Sequence, residues 1–137
     1  MMNQGIRTQW ADALRSGDYA QATGVLTRVS GVNGKKSHCC LGVLCELAVA
    51  AGVLTRDDEK INMFDTKDDV AASAIGYDGQ ISYLPSSVVE WAGLDEDNPT
   101  ITGEYNGHTS YHYLKLASIN DGGAPFSEIA DLIEKHL

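Results

Sequence analysis

Ser37-His38-Cys39-Cys40-Leu41-Gly42-Val43-Leu44-Cys45-Glu46-Leu47-Ala48 holds all three cysteines of the chain and one of its four histidines. Three readings compete for it: a metal site, a reactive thiol, or a buried helix. Zinc sites recruit ligands in pairs separated by two to four residues. Here Cys39 and Cys40 are adjacent, and Cys45 follows Cys40 by five, about 500° of helix and well off one face. No second Cys/His pair completes a set. Leu41, Leu44, Cys45 and Ala48 instead recur at i, i+3, i+4 and i+7, a core-facing helical stripe. Val43, Leu47 and Ala51 widen it, and Gly52 is a natural stop. Free cysteine packs as a small hydrophobe. The stretch therefore predicts a central, largely buried helix over about 40–51. Cys39 and Cys40 stand where its N-terminus would be, the one place that would favour a reactive thiolate.

Outward from this helix the chain alternates strand and helix signals. Residues 5–16 read as a helix with Ile6, Trp10, Ala13 and Leu14 on one face. Tyr19–Ala22 reads as a short helix or turn. Gly24–Val29 and Lys36–Cys39 read as strands about the turn Gly31-Val32-Asn33-Gly34. Thr55–Lys60 reads as a charged loop and Ile61–Phe64 as a weak strand. Asp78-Gly79 is a two-residue turn between Ala74–Tyr77 and Gln80–Tyr83, and Asn106-Gly107 a second between Thr100–Tyr105 and His108–His112. Pro85–Ala92 predicts a helix stopped by Gly93, with Val88, Trp91 and Leu84 inward. Leu114–Asn120 and a helix opened by Pro125, with Phe126, Ile129, Ile133 and Leu137 on one stripe, close the chain. The fold class is α+β: a single globular domain, 1–137, with one small antiparallel sheet of short strands covered by four to five helices.

The chain resembles a family of small, mostly uncharacterised proteins of tailed bacteriophages and prophages. The residues that carry the resemblance are the motif Cys-Cys-Leu-Gly-Val-Leu-Cys-Glu-Leu-Ala at 39–48, Trp10 with 13–17 and Tyr19, Leu84-Pro85 with Val88, Trp91, Gly93 and Leu94, and Leu116-Ala117, Asn120-Asp121-Gly122, Phe126 and 129–133. Together they cover roughly half the chain in a fixed order. The resemblance implies a phage setting and supplies no assigned catalytic residues.

Charge and composition narrow the function. A net charge of −9 disfavours binding to DNA or RNA. No apolar run approaches the ~18 residues of a membrane span. Nothing at the N-terminus reads as a signal peptide, and an odd number of cysteines argues for a reducing cytosol, so the expected location is the cytoplasm of the infected bacterial host. Residues 1–40 hold five basic and two acidic residues, net +3; the rest hold five basic and seventeen acidic, net −12. Arg28, Lys35 and Lys36, with His38 beside them, are therefore the candidate anion site, next to the expected N-terminus of helix 40–51, whose free N–H groups suit a phosphate. Tyr105, Asn106, His108 and Tyr111 interleave rings with amide and imidazole groups, which suits an aromatic base and equally a half-exposed hairpin whose tyrosines cover the core. Asn120 and Asp121 could accept from ribose hydroxyls or merely cap a helix.

No nucleotide-binding, hydrolase or metalloprotease motif is present. Cys40 with His108 or His112 is one conceivable nucleophile and base among many. The carboxylate runs 57–59, 68–69 and 95–97 read as solvated surface. The last two helices carry Glu128, Asp131 and Glu134 against Lys135, which argues against a DNA-reading helix-turn-helix. The expected function is sequestration of a nucleotide-like anionic small molecule, such as a cyclic nucleotide or ADP-ribose derivative used as a host immune signal. The expected form is a homo-oligomer with no cofactor and no metal. The alternatives are a small nucleotide hydrolase using His38, His108 or His112 as general acid/base, and a protein-binding inhibitor or virion component.

Overall fold

The structure is a computed structural model that describes residues 2–63, 72–105 and 108–137, the strand segments 102–105 and 108–113 in their backbone path only. The order of elements is α1 (Gln4–Arg15), β1 (Thr27–Val29), β2 (Lys36–His38), α2 (Cys40–Ala50), β3 (Arg56–Asn62), β4 (Ser73–Tyr77), α3 (Ser86–Ala92), β5 (Thr100–Tyr105), β6 (His108–Lys115), α4 (Leu116–Asp121) and α5 (Phe126–His136). The fold is α+β. Its strands form an antiparallel four-stranded sheet, β2-β1-β4-β3, and a separate two-stranded ribbon, β5-β6, in place of the one sheet expected.

Helix α2 begins and ends within one residue of its sequence pattern. Seven of its residues are buried, Cys40–Cys45 and Ala48, because the helix is apolar nearly all round and is covered on several sides. It sits at the centre of one contiguous core to which Trp10, Leu26, Tyr77, Val88, Leu116 and Ile133 also belong. Trp10 is fully buried and donates its indole N–H to the Cys40 carbonyl at 2.9 Å. Helices α1 and α5 are tied at their exposed faces by Arg15, which pairs with Asp131 and Glu134.

One expected loop and one expected strand exchange roles. Of residues 55–60, read as a charged loop, all but Thr55 belong to β3, which pairs antiparallel with β4 (Ile61 opposite Ala74, Lys60 opposite Ile75). Gln80–Tyr83 does not form the return strand of a hairpin: the turn at Asp78-Gly79 closes with a single bridge between Tyr77 and Gln80, and the chain then bends away. Asp78 takes φ +50°, a left-handed conformation that Asp tolerates in turns. Helix α4 starts two residues later than its pattern because β6 continues through Lys115. Tyr19–Ala22 is not helical; Gln21 bridges in parallel to His38. In α3, Ala92 is buried with Val88, while Trp91 is only half-buried. Phe64 and the turn at Asn106-Gly107 lie outside the described residues.

Candidate functional site

The candidate anion site starts from the β1–β2 hairpin. Its register sets Thr27 opposite His38, Arg28 opposite Ser37 and Val29 opposite Lys36. Side chains alternate across a sheet, so Arg28 and Ser37 share one face, while His38 and Lys36 lie on the other and Lys35 precedes β2 in the turn. Four residues that look clustered in sequence are thus divided. Lys35 and Lys36 are exposed. His38 is 5 % exposed and sits in the core.

The N-terminus of α2 does not offer the phosphate cradle expected of it. It is buried and already capped. Asn120 Oδ1 accepts the Cys40 N–H at 3.2 Å, and the Cys39 thiol accepts the Gly42 N–H at 3.4 Å. Burial pushes the Cys39 thiol up to about 11 and raises Cys40 and Cys45 further, so none of the three is a ready thiolate. All three are free and buried.

Asn120 has no exposed surface. Its Nδ2 donates to the Ala22 carbonyl at 2.8 Å, and its Oδ1 accepts from Gln21 Nε2 at 3.0 Å as well as from Cys40. It clamps the 21–24 loop and the start of α2 to α4, which leaves none of its amide for a ribose. Asp121 is exposed, but its Oδ1 accepts the Gly24 N–H at 3.0 Å and helps hold the same loop. Asn106 and the side chains of Tyr105, His108 and Tyr111 lie outside the described residues. Their strands pair, with Tyr105 opposite His108.

A second polar group was not anticipated. His38 Nδ1 lies 2.7 Å from Thr27 Oγ1, which lies 2.8 Å from Tyr77 OH, which donates to Glu46 Oε2 at 2.8 Å. Arg56 donates to both oxygens of Glu46, at 2.8 and 2.7 Å. Tyr19 meets the His38 ring edge-on at 5.4 Å. The one legible hint was Glu46, a lone charge in an apolar helix; Thr27 and Tyr77 carry no such signal. Burial holds His38 below its ordinary value, with Glu46 opposing. Burial would push Glu46 up, but the hydrogen bonds from Arg56 and Tyr77 bring it below the usual carboxylate value.

The buried imidazole predicts a pH dependence. A histidine whose folded-state pKa lies below that of the unfolded chain contributes stability that is complete above its ordinary value, near 6.5, and is lost as the pH falls below it. Urea unfolding at successive pH values should show stability declining on acidification through this window. His136 shifts in the same direction. The His38→Gln variant therefore isolates the His38 share, and its slope should be shallower than that of the parent.

Concavities among the described residues lie elsewhere. One of about 340 Å³ is walled by Met2, Leu94, Glu96, Pro99 and His136. Another, of about 370 Å³, lies across the same loop over Leu84, Pro85 and Val89 with Asp95, Glu96 and Asp97 at its edge. A small polar one of about 130 Å³ includes Cys39, Ser82 and Asp121. His38 lines none of these. No group of three His, Cys, Asp or Glu side chains among the described residues is placed to share a metal ion. No helix among them is long and apolar enough to cross a membrane.

The chain belongs to the DUF8296 family. That family is a domain of unknown function, and it matches residues 2–137, so the central helix, both sheets and the Asn120 clamp all fall inside one family unit. No curated protein and no solved structure matches the chain.

Proposed function

We propose that this protein acts by binding: it is a phage accessory protein that sequesters a nucleotide-derived immune signal, a cyclic nucleotide or ADP-ribose derivative, in the cytoplasm of the infected host, and does so as a homo-oligomer. The observation that carries the reading is the hairpin register. Arg28 and Ser37 face each other across β1–β2, and the exposed Lys35 stands in the adjoining turn, a cationic, hydroxyl-bearing region in a chain of net charge −9. Guanidinium, ammonium and hydroxyl donors on one rigid hairpin suit a phosphate or pyrophosphate. The Tyr/Asn/His run 105–113 supplies rings and amides for a base. The groups that would do chemistry are otherwise engaged: the thiols are buried and Asn120 is a clamp. A chain this small encloses such a ligand most readily between subunits.

A hydrolytic reading has one observation in its favour, the His38–Thr27–Tyr77–Glu46 chain, which orients an imidazole as a general base requires. It is the weaker reading because His38 borders no concavity described above. Calorimetry against cyclic dinucleotides and cyclic or linear ADP-ribose derivatives tests the first reading, with chromatography of the recovered ligand to separate binding from cleavage. Micromolar or tighter binding is expected, weakening with salt. Arg28→Ala should lose roughly 1–3 kcal/mol of it. Absence of binding to every member of the panel would remove this reading and leave a protein partner or virion role in front.

A further inference from the structure

The tip of the β1–β2 hairpin presents Val32 at 78 % exposure, the most exposed large hydrophobic side chain among the described residues. The tip is held in shape by its own hydrogen bonds. Ser30 N–H donates to the Lys35 carbonyl and Gly34 N–H to the Ser30 carbonyl, each at 2.9 Å. Ser30 Oγ accepts the Val32 N–H at 3.2 Å, and Asn33 Oδ1 accepts the Lys35 N–H at 3.0 Å. A rigid apolar knob flanked by Lys35 and Lys36 loses little entropy on docking. At another place on the molecule lies its complement. The concavity of about 370 Å³ is lined by Leu84, Pro85 and Val89, with Gln80 and Ser86 among them, and by the carboxylates of Asp95, Glu96 and Asp97. Of those carboxylates Glu96 is taken by Lys115 and Thr100, whereas the side chains of Asp95 and Asp97 make no hydrogen bond or ion pair among the described residues. Leu84 N–H donates to the Asp97 carbonyl at 3.0 Å, which fixes that edge. Within one chain the knob cannot reach this socket. The segment next to the socket joins the sheet where Ile81 accepts the Leu26 N–H, at the start of β1, and the tip lies beyond the far end of that strand.

We propose that Val32 of one copy seats in the socket over Leu84, Pro85 and Val89 of a second copy, with Lys36 against Asp97, so that the chain assembles head to tail. Such a contact joins unlike surfaces, so it propagates into a ring or a filament. The inference rests on the oligomer that the sequestration reading expects, but it is read from mass alone with no nucleotide present, so either can fail without the other.

Sedimentation of the full chain at high micromolar concentration tests it. The parent should form oligomers that dissociate as salt rises. Lys36→Glu and Asp97→Lys should each be monomeric. Mixed in equal amounts they should co-assemble, because the intact knob of Asp97→Lys meets the intact socket of Lys36→Glu and the two reversed charges attract at the alternate contacts. The double variant should assemble again, and Val32→Ser should weaken assembly roughly tenfold. A monomeric parent, assembly indifferent to both charge reversals, or a mixture that stays monomeric would overturn the proposal.

Discussion

Gly42→Ala should destabilise the protein by roughly 3 kcal/mol or more, at the upper end for overpacking a rigid core. The sign is the informative part. In an ordinary helix interior the same change stabilises by about 1 kcal/mol. At Gly42 a Cβ would overlap the carbonyl oxygen of Leu26 and lie 2.6 Å from its carbonyl carbon. The obstacle is backbone, and it is held on both sides: the Leu26 carbonyl accepts the Cys39 N–H at 3.1 Å, and the Leu26 N–H donates to Ile81 at 2.7 Å. The clash can be relieved only by separating α2 from the entry to β1. Urea denaturation of the two proteins side by side gives the difference, and a variant as stable as the parent would mean that the two backbones do not meet as described.

Asn120→Ala is the second large effect. It leaves the Cys40 N–H and the Ala22 carbonyl without their partner in a buried place, and removes one of the two acceptors of Gln21, the other being the Ala124 carbonyl. Each stranded buried group costs about 1–3 kcal/mol, so a loss of roughly 3–5 kcal/mol is expected. Thermal unfolding checks it. The same variant separates the two roles available to the Asn-Asp-Gly motif: a clamp loses stability, whereas a ribose contact loses affinity at unchanged stability.

Helix α2 was legible because its evidence is local: an apolar stripe, a cap position and a stopping glycine within a dozen residues. The last helix, α5, was legible for the same reason, with Pro125 before it and Ile129 and Ile133 on its buried stripe. The sheet was harder. Arg56-Asp57-Asp58-Glu59-Lys60 carries charges at every position and resembles a loop, yet it is an edge strand whose side chains are mostly exposed, so its composition reports solvent and says little about pairing. Gln80–Tyr83 had the better hairpin signal, but β4 already has β1 on one side and β3 on the other. The candidate site suffered from the same gap. Lys35, Lys36 and His38 are neighbours in sequence, and the pleat sends alternate residues to opposite faces.

The sequence alone determined where the helices run, which of their faces are apolar, where the turns fall, that the fold is α+β, and that a net positive charge is confined to the first forty residues. These follow from interactions within a few positions along the chain. Only the tertiary structure decided which strands pair, that His38 joins Thr27, Tyr77 and Glu46 in the interior, and that Asn120 is spent on the backbone of Cys40 and Ala22. The reason is physical. A buried polar group must find a partner, and here the partners lie from eleven to ninety-eight residues away. No periodicity in the chain encodes a separation of that kind.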